Sequence, residues 1–275
     1  MRPARRSLIV VLLIAVGAGL GASQQTTPTA SLQLTPAEME AFLLKARISS
    51  RRDAGAGVTN SSRVTLSDGR ITHDAHLQTV DIAQNVFQAG KATELNFKDT
   101  YRYNIAGYRL AQLVGLQTVP MSVERNVEGK MAAVTWWVDD VMMDEDGRIK
   151  KKTMGPDVQR FGKQIQVMKI WDELIQNKDR NRGNLLWTND WTLWLIDHTR
   201  AFRLDKKLQN PNELTRCERG LLDGLRRLTA ESLAQAVGNS LTKAEQEAVM
   251  ARRDLLVKHF EDRVAKLGDG ILFTI

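Results

Sequence analysis

Two hydropathy periods divide this chain and point to an α+β fold. In the first half apolar residues recur mainly with the period of two that a half-buried strand shows. Val64, Leu66 and Ile71 flank Asp68-Gly69, a hairpin turn signal, and Ala75, Leu77 and Thr79 alternate with His76, Gln78 and Val80 as a third strand would. Pro120 to Val127 and Met131 to Val138 read as two further strands joined at Glu128-Gly129. One helical stretch interrupts them. Phe97, Tyr101, Ile105 and Tyr108 share a face, widened by Leu110, Leu113 and Val114, which predicts a helix over 96–114 ended by Gly115. In the second half the helical period dominates. Ile165, Met168, Trp171 and Ile175 form one stripe, and Val249, Leu256, Phe260, Val264 and Leu267 form another behind a Thr242–Glu245 capping box. A short helix opens the globular part, with Thr35 as N-cap, Pro36 in the first position, and Met39, Phe42, Leu43 and Ala46 on one face.

The chain of 275 residues is 43% hydrophobic and 26% charged, enough to bury one large core or two lobes sharing a cleft. Cys217 is the only cysteine, which excludes an intrachain disulfide and a cysteine metal cluster, so the core alone must hold the fold. Residues 1–23 carry basic Arg2, Arg5 and Arg6, then an apolar run from Leu8 to Val16, then small residues to Ser23. This is a signal peptide, or an anchor if it stays uncleaved; either way the body is exported, to the periplasm or the extracellular space. Residues 24–34 read as a linker. The net charge is +7, three of it in that first segment, so the body favours anionic partners only weakly. The densest basic cluster, Arg148 with Lys150, Lys151 and Lys152, reads as a solvated loop, with a phosphate- or lipid-facing patch as the alternative. Nothing supports nucleic-acid binding, and neither Gly-x-Ser-x-Gly nor His-Glu-x-x-His occurs.

The most informative stretch is Asn177-Lys-Asp179-Arg-Asn-Arg-Gly-Asn184-Leu-Leu, followed by Trp194-Leu-Ile-Asp197-His198. A polar loop leads to an apolar turn and a strand that ends in a carboxylate. Two carboxylates and a carboxamide brought together would suit a hard divalent cation and the phosphate oxygens it neutralises. Such residues also close ordinary turns.

These residues, after a β-rich half containing one helix, resemble the protein-kinase-like superfamily. The wording Asp-Arg-x-x-x-Asn and Ile-Asp-His is closer to phosphatidylinositol kinases and secretory-pathway atypical kinases than to ordinary protein kinases. The resemblance implies a two-lobed fold, with a helix and β-rich small lobe over 35–138 and a mainly helical large lobe over 139–275. It implies ATP or another nucleotide with Mg²⁺ or Mn²⁺, and a hydroxyl acceptor that is a protein, a lipid or a small molecule. Asp179 would be the catalytic carboxylate, and Asn184 and Asp197 the metal ligands. Gly55 and Gly57 lie in a loop that would cover the phosphates, and Asp139 sits at the expected adenine hinge. The pattern breaks at the Lys–Glu pair that holds the phosphates in ordinary kinases. Gln78 and Asn104 stand there instead, two neutral amides able to bond to each other or to a phosphate. Lys98, at the start of the predicted helix, could supply the missing cation. Three functions stay open: an atypical kinase moving phosphate or a nucleotidyl group, a pseudokinase-type binding module, and a metal-dependent hydrolase using Asp179, Asp197 and His198.

The remaining candidates are weaker. His73 and His76 are three apart, which on a strand points them to opposite faces. Asp144, Asp146 and Gly147 read as a plain turn, and Arg180 and Arg200 as partners of the site carboxylates.

Overall fold

Capping and turn chemistry set the first elements. The Thr35 hydroxyl accepts the Glu38 N–H and the Glu38 carboxylate takes the Thr35 N–H, which starts helix α1 (Pro36–Lys45). Strand β1 (Arg47–Asp53) follows, then β2 (Ser61–Ser67) and β3 (Thr72–Gln78), which pair around the Asp68-Gly69 turn. Gly69 takes a φ of 88°, which only glycine adopts without strain, and Asp68 Oδ1 accepts the N–H groups of Arg70 and Ile71. The structure, a computed structural model, describes residues 34–53, 61–89, 92–178 and 180–275. The predicted targeting segment, nearly all of the linker, Gly55, Gly57 and Asp179 lie outside the described residues.

The next region corrects the predicted helix over 96–114. Its first part is strand. β4 (Asp81–Ala89) and β5 (Ala92–Thr100) form an antiparallel hairpin, and helix α2 spans only Arg102–Val114. The Phe97–Tyr101 spacing fits a helix and a strand end equally well. Here Phe97 is held across the hairpin, its ring stacked on Phe87 with centroids 4.1 Å apart. Asn96 adopts a φ of 53°, which no α-helix tolerates. The helix starts after the Thr100 hydroxyl has accepted the Arg102 N–H.

Strands β6 (Ser122–Val127) and β7 (Lys130–Trp136) form the predicted hairpin. They complete a five-stranded antiparallel sheet in the order β1-β2-β3-β7-β6. β8 (Val141–Asp144) leads into helix α3 (Glu145–Lys150). Asp144, read as part of a plain turn, is this helix's N-cap, with Oδ1 2.7 Å from the Gly147 N–H. The basic cluster therefore lies on α3 and just past its end, and Arg148 is tied to Glu145 rather than solvated.

Helix α4 (Val158–Ile175) is the core rod of the second half, with Trp171, Ile170 and Leu174 fully buried. Replacing Trp171 by Ala would cost about 3–5 kcal/mol. β9 (Leu185–Thr188) and β10 (Leu193–Leu195) then join β8 in a three-stranded sheet ordered β10-β9-β8. β11 (Cys217–Glu218), α5 (Arg219–Arg227), α6 (Ala230–Val237), α7 (Lys243–Leu267) and β12 (Leu272–Phe273) finish the chain. Gly224 on α5 is a close-approach residue. A Cβ there would meet the Val114 carbonyl oxygen at 2.2 Å, so α5 packs backbone-to-backbone on the end of α2. Cys217 is fully buried, and burial pushes its thiol pKa up to about 12. Arg252 on α7 is also fully buried and donates to the carbonyls of Leu174, Arg203 and Asp205, which ties α7 to α4 and to the segment after residue 197.

Candidate functional site

A cavity of about 310 Å³ opens between the five-stranded and three-stranded sheets. Its upper wall comes from β2, β3 and β7, which place Ser61, His76, Gln78, Thr135 and Trp136 over it. Trp137 and Val138, on the link from β7 to β8, close one side. The floor is Leu186 and Ile196, with Asn184, Asp197 and His198 at the inner end.

Sequence order explains this convergence. β3 ends at Gln78, the first turn of α2 carries Asn104, and β10 ends just before Asp197. Asn104 Nδ2 donates to Gln78 Oε1 at 2.7 Å, and Asn104 Oδ1 accepts the His198 N–H at 2.8 Å. Gln78 and Asn104 are 2% and 5% exposed, so one carboxamide joins the sheet, the helix and the segment after Asp197 where water cannot compete. The two amides thus bond to each other, one of the two options open from the sequence.

Asn184 and Asp197 lie side by side. Asn184 Nδ2 lies 3.4 Å from Asp197 Oδ2, and the Asn184 carbonyl accepts the Ile196 N–H at 3.1 Å. Asp197 takes a φ of 53°, a left-handed conformation that Asp tolerates better than most residues. The Thr199 hydroxyl donates to Asp197 Oδ1 at 3.1 Å. A carboxylate and a carboxamide side by side are hard oxygen donors, the set that Mg²⁺ or Mn²⁺ prefers, so the donor chemistry fits such an ion. Among the described residues, no cluster of three or more His, Cys, Asp and Glu side chains is placed to hold a metal.

The other sequence candidates fall in different places. His198 is buried and accepts the Trp171 indole N–H through Nε2 at 3.1 Å, so its proton sits on Nδ1. Burial, reinforced by Arg180, holds its imidazole pKa well below the ordinary value. Gly107 leaves room for this ring: a Cβ there would stand 3.3 Å from His198 Cγ. His198 is therefore a neutral core residue with its Nε2 lone pair occupied, which removes the metal-ligand role on which the hydrolase reading rested. Asp139 turns its carboxylate outward to His73 Nε2, 2.8 Å away, while Trp137 and Val138 line the cavity at the expected hinge. Lys98 is on strand β5, not at a helix start, and is ion-paired with Glu245 of α7 beside a second cavity. Among the described residues, Arg180 does not pair with Asp197 either. It grips Asp172 of α4, with Nη2 2.6 Å from Oδ1, and donates through Nη1 to the Ile196 carbonyl at 2.8 Å.

Three contributors were not evident from the sequence. His76 lines the cavity, with Nε2 2.8 Å from the Ser61 hydroxyl. Burial lowers its pKa, and the charge on Asp197 partly opposes that. Thr199 braces Asp197. Asp99 is 8% exposed near the same segment, and burial raises its carboxyl pKa. None sits in a recognisable motif; only the alternation along β3, which puts His76 and Gln78 on one face, offered a signal.

No protein-family model matches the chain, and no curated protein matches it. Solved structures do. A structure of hydra Fam20 with sugar superposes with a TM-score of 0.65 at 13% identity, covering 86% of this chain and 92% of that one. The Golgi casein kinase with Mn/ADP bound matches with a TM-score of 0.62 at 12% identity, over 86% of this chain and 78% of that one. A second structure of the Golgi casein kinase gives 0.60 at 13% identity, over 85% and 76%. The fold is that of the atypical protein kinases. In these terms the five-stranded sheet with α2 is the β-rich part of a two-lobed kinase-like fold. No Lys or Arg among the described residues lines the cavity between the two sheets, and Asp197 is its one described carboxylate.

Proposed function

We propose that this protein is an atypical kinase-like phosphotransferase that binds a nucleotide in the cleft as a metal complex. The observation that carries this reading is the juxtaposition of Asn184 and Asp197 at the inner end of a cavity with apolar and aromatic side chains in its walls. Apolar walls from Val138, Leu186 and Trp136 suit a base, and the polar end suits phosphates. The Mn/ADP complex of the Golgi casein kinase, which has the same fold, supports nucleotide and metal use. Asn184 and Asp197 would hold Mg²⁺ or Mn²⁺, which neutralises phosphate oxygens when bound. Asp179 would accept the proton of the acceptor hydroxyl as its oxygen bonds to the transferred phosphorus and the bond to the nucleoside diphosphate oxygen breaks. Arg180, locked between Asp172 and the Ile196 carbonyl, would fix the loop carrying Asp179 relative to Asp197. The small lobe over 35–138, the large lobe over 139–275 and export by residues 1–23 belong to the same proposal. No described helix is long and apolar enough to cross a membrane.

One observation favours a second reading, a pseudokinase-type module that binds without turnover. The Gln78–Asn104 bond occupies the position of a charged pair and leaves phosphate charge to the metal alone. Incubation with labelled ATP and Mn²⁺ or Mg²⁺ separates the two. We expect label on a hydroxyl-bearing acceptor, and its loss in Asp179→Ala. Saturable nucleotide binding without transferred label would establish the binding module instead.

A further inference from the structure

A second cavity, of about 340 Å³, lies under the β4–β5 hairpin. Lys98 and Phe97 of β5 form one wall, and Lys178 and the segment 200–205 form another. It therefore borders both halves of the candidate chemistry, since Lys178 precedes Asp179 and residue 200 follows Asp197 by three. Glu245 of α7 closes it.

Its hydrogen-bond balance is one-sided. The acids are already satisfied. The Glu245 side chain is 3% exposed and accepts from Lys98 Nζ, from the Tyr103 hydroxyl at 2.7 Å and from the Thr242 N–H at 2.7 Å. Burial would raise its pKa, but Lys98, Tyr103 and Thr242 together hold it below the ordinary carboxylate range. Asp205 accepts from the Lys207 N–H and from Gln209 Nε2, each at 3.0 Å. The donors are not satisfied. Lys178 Nζ makes no hydrogen bond to a described residue, and its ion pair with Asp205 is 3.9 Å long. Lys98 Nζ has three N–H groups and gives one to Glu245. Arg203 gives Nη1 to Glu94, while its Nε is buried with no described partner. Spare cationic N–H donors beside carboxylates that are already engaged favour a ligand rich in acceptor oxygens and carrying negative charge. The cavity is held in shape from behind, because Arg252 binds the carbonyls of Arg203 and Asp205.

We propose that this second cavity binds the anionic group, a phosphate or a carboxylate, of the hydroxyl-bearing acceptor. The acceptor role rests on the phosphotransferase reading; anion binding does not. The test is calorimetric titration of the full chain, without nucleotide, with glycerol 3-phosphate, glycerate and glycerol. Both anions should bind saturably and glycerol should not, with the tighter anion showing whether phosphate or carboxylate is preferred. Lys178→Met should weaken the preferred anion about tenfold, and Arg203→Met by a similar factor. Because Lys178 is 42% exposed, its variant tests the site even if the Arg203 variant fails to fold. Glycerol binding as tightly as the anions, neither anion saturating, or Lys178→Met binding like the wild type would overturn the site. A separate titration of wild type and Lys178→Met with Mn²⁺ and ADP assigns to the first cavity the Mn²⁺-dependent binding that the substitution leaves intact; absence of such binding overturns the nucleotide reading and not anion binding.

Discussion

The two cavities that flank the segment from Asp197 to Asp205 are electrostatic opposites. The first has aromatic and aliphatic side chains in its walls, a neutral Gln78–Asn104 bridge and no described Lys or Arg in its lining. The second carries Lys98, Lys178, Arg200 and Arg203 in its walls. They are of similar volume, so the contrast lies in what each asks of its ligand. A site without cations must receive its positive charge together with the ligand, as a metal complex. On the proposal above, a site in which Lys178 and the Nε of Arg203 are spare takes the anion bare. On the two proposals together, donor and acceptor would be kept apart by charge rather than by shape.

The contrast can be broken most directly at Asp197. Replacing Asp197 by Asn removes the only carboxylate lining the first cavity among the described residues, and Mn²⁺-dependent ADP affinity should fall by at least about a hundredfold. Glycerol 3-phosphate binding should persist, and calorimetry of both ligands on one variant checks the pair. If both fall together, the cavities are not independent. A milder change sharpens the comparison. Gln78→Lys places a cation where the amide bridge now stands, so ADP affinity measured in a chelator should rise by about tenfold. The same variant should lose about 2 kcal/mol of stability in urea, because the lysine is buried and Asn104 loses its acceptor. Unchanged chelator-insensitive binding would mean the phosphates do not reach Gln78.

The smallest effect concerns how the first cavity answers acid. His198 stays neutral in the fold because burial depresses its pKa, whereas an unfolded imidazole titrates near about 6.5. The unfolded chain therefore binds a proton that the folded chain refuses. The stabilisation is fully present above that pH and is lost as the pH falls below it, by about 1 kcal/mol per pH unit. Urea unfolding at pH 7, 6 and 5 should show this slope, His198→Asn should reduce it, and the remainder should belong to His76, whose pKa burial also lowers. A slope that the substitution leaves undiminished assigns it elsewhere.

Local rules made much of this legible in advance. Three side chains contacting their own neighbours, Thr35, Asp68 and Thr242, announced two helices and a hairpin, because caps and turns are read within four residues. The kinase-like order and the meeting of Asn184 with Asp197 were legible through the motif. The β4–β5 hairpin was not, because Phe97, Tyr101 and Ile105 satisfy a helical stripe, and only the cross-hairpin Phe87 and the left-handed Asn96 decide against it. The same miss placed Lys98 near the phosphates when it reaches Glu245, 147 positions away. Asp139 was read at a hinge from its place in the order, but its side chain follows His73, a partner 66 positions off. Arg180 was assigned to the nearest carboxylates in the motif, and the backbone instead presents it to Asp172 on the preceding helix.

The solitary thiol has a consequence of its own. Cys217 sits inside the β11–β12 pairing, sealed from solvent and with its proton held to about pH 12. The described fold owes nothing to oxidative cross-linking, and no thiolate is offered to glutathione or to a disulfide exchange catalyst. Maturation of this chain should therefore proceed at the same rate in reducing and in oxidising surroundings.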